Sequence, residues 1–189
     1  MTMTRSMTWS KVHGRNAIKD AGGCLHLSKA LEITENDVQR LCAYGLSSGV
    51  TIFNPDKDRM QAHLSPTDPV VASLEDFLRS RGFMEGRLAR SPVVIVSKPG
   101  CARQHYHTDY DAGRVSRARI KPLGVLLALQ CNTSLSSPIG DVFMESGDVL
   151  VFDGDFVHAG AAYDEMNARV HVYLDVPDCK RNTNTTYLV

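Results

Sequence analysis

His107 and Asp109, in "QHYHTDYD" (104–111), are one residue apart, so in an extended segment both side chains point to the same side. An imidazole beside a carboxylate offers two donors of the kind that bind a divalent metal. Two ligands hold a metal weakly, and a third must come from elsewhere. The candidate is His158, in "GDVLVFDGDFVHAG" (147–160), where the run Val149–Phe152 predicts a buried strand and "DGDF" turns the chain just before the histidine. Two histidines and one carboxylate leave the other positions of a metal open to exogenous molecules, which distinguishes a catalytic site from a closed structural one.

An HxD triplet alone is weak evidence in a chain with seven histidines. Arg169 adds a fourth element, eleven residues after His158, in "NARVHVYLDV" (167–176). Strand alternation there sets Val170, Val172 and Leu174 on one face, predicted to lie under N-terminal helices, and Arg169, His171 and Tyr173 on the other. An inward arginine is costly unless it meets an anion, and a guanidinium grips a carboxylate through two parallel hydrogen bonds. The expected partner of Arg169 is therefore a carboxylate brought by a ligand; a surface arginine on an edge strand is the competing reading.

Neighbouring residues are less determined. His105 shares the metal face by parity and is read as lying behind the ligands or exposed. Gln104 either touches a bound molecule or bonds to backbone at a strand end. His171 and Tyr173 either donate to a bound molecule or are satisfied core residues. The acid-free stretch "GRVSRARIK" (113–121) is a solvated surface or a recognition loop for phosphate or carboxylate.

These residues need a scaffold, and the chain changes texture near residue 90. Before it, residues 24–48 read as one helix or two, with Thr34 as a cap, 51–69 as a loop dense in Pro and Asp, and 70–82 as a helix ended by Gly82. After it come short apolar runs between turn residues, at 92–97, 104–110, 123–130, 141–144, 148–153 and 168–176, which predict a sandwich or barrel. The chain is thus read as a single domain, with a helical N-terminal region and loops over 1–90, a β core over 91–176 and a polar tail over 177–189, mobile until its last residues.

Its 189 residues are 43% hydrophobic and 22% charged, with 21 basic and 21 acidic side chains. The balance offers no global attraction to nucleic acid or to an acidic membrane. No stretch reaches the roughly 18 apolar residues of a membrane span. Five cysteines without CxxC spacing fit reduced thiols in a cytoplasmic protein. The N-terminus, rich in Ser and Thr and free of acids up to Asp20, also has the features of an organelle transit peptide.

His107-x-Asp109, His158 fifty-one residues on and Arg169 eleven further resemble the signature of the Fe(II)/2-oxoglutarate-dependent dioxygenases. "PGCARQHYHTD" (99–109) and "GDVLVFDGDFVHAG" are similar, more narrowly, to the phytanoyl-CoA dioxygenase-like branch. The resemblance covers roughly residues 92–176. It implies a mainly β double-stranded β-helix, a jelly-roll or cupin-like barrel of eight core strands with N-terminal helices packed on one sheet. It implies that His107, Asp109 and His158 hold Fe(II) and that Arg169 pairs with the distal carboxylate of 2-oxoglutarate. O2 would be the second co-substrate, with ascorbate a candidate activator. The reaction implied is hydroxylation of a C–H bond of a small molecule, an anionic one among the candidates, with release of succinate and CO2. Asp109 argues against a halogenase, which lacks that carboxylate. Arg169, where prolyl hydroxylases tend to carry lysine, argues against that branch. A non-catalytic barrel serving as sensor or scaffold, and a nucleic-acid or protein demethylase or hydroxylase, are the alternatives.

Overall fold

Most of the apolar runs after residue 90 become strands, and the central ones, Leu123–Ala128, Val149–Asp153 and Asn167–Asp175, bury nearly every residue on both faces. The computed structural model describes residues 14–51, 58–182 and 185–189. In chain order it contains α1 (Gly14–Asp20), β1 (Cys24–Leu27), α2 (Glu35–Ser48), β2 (Val50–Thr51), β3 (Arg59–His63), α3 (Pro69–Ser80), β4 (Leu88–Ser97), β5 (His107–Thr108), α4 (Ala112–Arg117), β6 (Leu123–Ala128), β7 (Thr133–Ser136), β8 (Val142–Met144), β9 (Val149–Asp153), β10 (Ala159–Gly160), β11 (Asn167–Asp175) and β12 (Tyr187–Leu188). A seven-stranded antiparallel sheet, in the order β1-β9-β6-β11-β4-β3-β2, faces a three-stranded sheet β10-β7-β8, and β12 pairs with β5. No helix among the described residues is long and apolar enough to cross a membrane.

The two helices on the large sheet are set by their caps. Thr34 and Asp37 form a reciprocal capping box at the start of α2, and Asp68 accepts from the Val70 amide with Pro69 in the first turn of α3. Arg40 of α2 also pairs with Asp68, which ties one helix to the cap of the other. Their apolar stripes, Leu41 and Cys42 from α2 and Val70, Val71, Leu74 and Leu78 from α3, pack on Val94, Val96, Val125, Leu127, Val170, Val172 and Leu174 of the sheet. Each fully buried aliphatic side chain there stabilises the fold by about 1.5–3 kcal/mol. The opposite face of the same strands, with Leu126, Ala128, Leu150 and Phe152, meets Leu135 and Met144 of the small sheet. One strand thus serves two cores, and β11 shows it most clearly: its odd-numbered residues 169, 171 and 173 face the interior between the sheets.

Two expectations are corrected. Residues 24–27 form an edge strand against β9, Cys24 opposite Phe152, so only 35–48 of the stretch 24–48 is helical. The segment 51–69 is not all loop: Arg59–His63 pairs with β4 along its whole length, which extends the sheet into the first ninety residues. The last residues of the tail are held, Tyr187 and Leu188 pairing with Thr108 and His107. The expected transit-peptide features lie largely outside the described residues. The five cysteines are free thiols, and burial, aided by the nearby Asp153 carboxylate, pushes Cys24 up to about 12.

Gly124 in β6 is fixed by contact rather than by backbone freedom. A Cβ built there would stand 2.3 Å from the Phe152 ring. Phe152 in turn lies against the His158 ring, with centroids 4.8 Å apart. Gly124→Ala is expected to cost about 1–3 kcal/mol through overpacking, read as a lower urea midpoint with an unchanged slope.

Candidate metal centre

The backbone places the two histidines before any metal does. His107 and His158 form an isolated antiparallel bridge, each amide donating to the other's carbonyl at 2.9 Å. The chain is held on both sides of this bridge: the Gln104 amide donates to the Gly160 carbonyl, and the Tyr110 amide to the Gly154 carbonyl. The ring centroids of His107 and His158 are 4.6 Å apart. Each ring's Nδ1 hydrogen-bonds a backbone carbonyl two residues earlier, His105 O at 2.8 Å and Phe156 O at 2.9 Å. Carbonyls only accept, so both Nδ1 atoms carry the hydrogen and both Nε2 atoms present lone pairs to the same space.

Asp109 completes the set. Its Oδ2 lies 3.8 Å from His158 Nε2, and one ligand atom from each of His107, Asp109 and His158 falls within 4.8 Å of the others. The carboxylate is 2% exposed and its Oδ2 has no hydrogen-bond partner. The nearest further group, His171 Nε2 at 3.4 Å, is also buried and without a hydrogen bond. A buried acceptor aimed at two imidazole lone pairs costs about 1–3 kcal/mol and persists only if something else satisfies it. A divalent cation is the species that all three groups accept together.

The protonation states suit that role. Burial, reinforced by the charge of the facing His158, lowers His107, and burial lowers His158. Burial alone would raise the Asp109 carboxyl, but His158 and His171, when protonated, and Arg181 reverse this and hold it below the usual carboxylate range. Near neutral pH the set is thus two neutral imidazoles and one carboxylate. Divalent-metal affinity is expected to stay level as pH falls through 6.5, the ordinary histidine value, and to drop only below it, by up to about tenfold per unit for each proton taken up. Anaerobic calorimetric titration of Fe(II) between pH 5 and 8 reads this directly.

Arg169 projects into the same pocket from β11 and is 3% exposed. Its Nη1 donates to Ser97 Oγ at 3.0 Å, and its guanidinium lies over the Tyr163 ring at 5.4 Å. Tyr163 is itself pinned, donating to the Ser134 carbonyl and accepting from the Ser134 amide. The surface-arginine reading of Arg169 is therefore excluded.

The remaining expectations sort cleanly. His105 is exposed. Gln104 lines the pocket while its Oε1 accepts from the Gly160 amide at 3.1 Å, so it is held by backbone. His171 and Tyr173 line the pocket, their rings 4.3 Å apart. The basic stretch 113–121 begins in α4 and does not reach the pocket. Lys121 there pairs with Asp153 and Asp155, and Arg119 lies 4.0 Å from Asp178.

Two charged pocket residues escaped sequence reasoning. Arg59 is fully buried, its Nε donating to Ser97 Oγ and its Nη2 to the carbonyls of Ala102 and Ala161, with Cys101 Sγ 3.0 Å away. One serine hydroxyl thus receives both arginines. Arg181, from the tail, lines the pocket over the Tyr173 ring. No spacing rule links either position to the HxD segment.

No family model matches the chain, and no curated protein sequence matches it. Solved structures do. A non-heme alpha ketoglutarate dependent carbocyclase, SnoK from nogalamycin biosynthesis, superimposes with a TM-score of 0.66 at 15% identity, over 89% of this chain and 86% of that one. HygX from Streptomyces hygroscopicus, with nickel and 2-oxoglutarate bound, gives 0.63 at 13%, over 89% and 88%. A viral collagen prolyl hydroxylase from Paramecium Bursaria Chlorella virus-1, as its 2OG complex, gives 0.64 at 14%, over 83% and 98%. The chain has the double-stranded β-helix fold that these 2-oxoglutarate oxygenases share.

Proposed function

We propose that this chain is an Fe(II)- and 2-oxoglutarate-dependent oxygenase that hydroxylates a C–H bond of a small molecule and releases succinate and CO2. The observation that carries this reading is one pocket lined by His107, Asp109, His158 and the buried Arg169. The donor set fits a divalent iron: two outward-facing imidazole lone pairs and a buried carboxylate oxygen with no other partner. When bound, the iron would bring 2-oxoglutarate and O2 together, so that one oxygen atom enters the C–H bond and the other enters 2-oxoglutarate as it loses CO2.

The chain's own residues supply position and dryness. Arg169, oriented by Ser97 and Tyr163, would take the distal carboxylate of 2-oxoglutarate, with Arg59 adding a second positive charge at that end. Phe152 and Phe156 flank the His158 ring and keep water from it. HygX and the viral hydroxylase hold 2-oxoglutarate in this fold, which supports the co-substrate. The stretches 99–109 and 147–160 favour the phytanoyl-CoA dioxygenase-like branch.

The test is anaerobic. Fe(II) and 2-oxoglutarate together are expected to produce a weak visible charge-transfer band, and succinate is expected to form once air is admitted. Iron binding that is unchanged in His107→Ala, with no band, would refute the assignment. A band without succinate would mark a binding protein instead.

A further inference from the structure

The geometry points to Arg181 as the residue that holds a carboxylate of the primary substrate, at the opposite end of the pocket from Arg169. This rests on the oxygenase reading above and names the substrate class. The tail reaches the pocket by a tight reversal. After β11, Val176 and Cys179 hydrogen-bond to each other reciprocally across Pro177 and Asp178, which turns the chain back over its own strand. The Arg181 amide then donates to Asp175 Oδ1 at 3.1 Å, and its guanidinium carbon lies 3.9 Å from the centroid of the Tyr173 ring. Further on, β12 pairs with β5, Leu188 opposite His107, and the Val189 amide donates to the Tyr106 carbonyl. The tail is therefore a wall of the site, with Arg181 and Thr186 lining the same pocket as His107 and Asp109.

The charge of Arg181 acts at a distance on Asp109 but has no direct anionic partner among the described residues. Its Nε is buried without a hydrogen-bond partner, and no described carboxylate ion-pairs with its guanidinium. Asp178, the acid nearest in the chain, lies 4.0 Å from Arg119, and Asp175 turns its Oδ1 to the Tyr110 hydroxyl and the Arg181 amide. Stacking on Tyr173 offsets part of the desolvation but leaves the donor unmet. Nε–H and the adjacent Nη–H form a side-on fork whose spacing matches the two oxygens of a carboxylate.

Position decides which carboxylate. Arg169 and Tyr173 share one face of β11 four residues apart, about 13 Å at about 3.3 Å per residue. Between them, His171 Nε2 lies 3.4 Å from Asp109 Oδ2. The metal ligands thus stand between two cations, one suited to 2-oxoglutarate and one left for the molecule to be oxidised. An adjoining cavity, lined by Arg90, Ser91, Tyr173, Asp175, Lys180 and Arg181, continues outward from Arg181 with three cations against one acid. A small carboxylic acid, anchored by its carboxylate with its chain directed at the metal, fits this distribution. The stretch 113–121 does not.

The test uses the full chain loaded with Zn(II) and 2-oxoglutarate, and straight-chain carboxylates from propionate to octanoate with the matching primary amides as controls. The Arg181 Nε–H resonance, assigned by its loss in Arg181→Lys, is expected to shift on adding a carboxylate and not its amide. Arg181→Gln is expected to weaken carboxylate binding at least tenfold while 2-oxoglutarate affinity is unchanged. For any carboxylate that stimulates succinate formation with Fe(II), the same variant is expected to raise its KM at least tenfold. A resonance that ignores every carboxylate, or that moves equally with the amides or with 2-oxoglutarate alone, overturns the proposal. Because the resonance is read without turnover, failure of the oxygenase reading, seen as loss of 2-oxoglutarate binding, is separable from failure of the Arg181 site.

Discussion

Asp109→Ala is expected to lower succinate formation by at least about a thousandfold and to leave the metal-free protein as stable as before, or more so. The two halves of this result have one cause. In the metal-free chain the Asp109 carboxylate is 2% exposed and its Oδ2 is unpartnered, a condition that costs about 1–3 kcal/mol. Removing it relieves that cost, which offsets the small cavity left behind and the lost attraction of Arg181 for the carboxylate. With metal the sign reverses. A cation present at a hundred times its dissociation constant stabilises the wild type by about 2.7 kcal/mol, which corresponds to roughly 5–10 °C in a domain of this size. The variant, left with two imidazoles, is expected to show no such rise. Thermal melts with Fe(II) under nitrogen, and again after chelation, read both effects. A metal-free variant several degrees less stable than the wild type would mean that Asp109 is structural.

The fate of the sequence readings follows from which interactions are local. The helix at 69–80 was legible because everything that fixes it is nearby: the Asp68 cap, Pro69 in the first turn, an apolar stripe at helical spacing, and Gly82 in a left-handed conformation with φ 76 just past its end. β1 was misread because Leu27 and Leu31 continue the spacing of a helix, whereas its actual partner, β9, lies more than a hundred residues away. β3 was hidden for a functional reason. Arg59 and Gln61 face the pocket, so the strand that carries them lacks the apolar alternation by which strands are recognised. In β11 the helix-facing valines were regular enough to reveal the strand, and Arg169 on its other face then stood out as an anomaly that demanded a ligand. The convergence of His107, Asp109 and His158 was legible through parity and distant spacing. Arg59 and Arg181 were not, because tertiary pairing alone brings positions 59 and 181 to the HxD segment.

Arg169→Met carries the second large effect, and it too separates binding from stability. Arg169 is 3% exposed on the inner face of β11, where its guanidinium is directed by Ser97 Oγ and the Tyr163 ring. Losing one partner of a buried, hydrogen-bonded charge pair costs about 2–5 kcal/mol, so the KM for 2-oxoglutarate is expected to rise by about two orders of magnitude or more. At saturating 2-oxoglutarate the maximal rate is expected to stay within a few-fold of the wild type. On the proposed reading the contact is to the carboxylate remote from the reacting carbon and is made equally in ground and transition states, so its loss appears in KM. In the absence of 2-oxoglutarate the same substitution loses the hydrogen bond to Ser97 Oγ and the contact with the Tyr163 ring, about 1.5–3 kcal/mol for a bond from a charged donor, offset in part by relief of a desolvated charge. The melting temperature of the ligand-free protein is therefore expected to fall by no more than a few degrees, and the stabilisation by 2-oxoglutarate expected of the wild type to be absent. Arg169→Lys, which keeps the charge but loses the planar fork, is expected to fall between the two in KM. An Arg169→Met protein with a wild-type KM for 2-oxoglutarate would move the co-substrate to Arg59 or Arg181 and require the pocket to be read in the opposite direction.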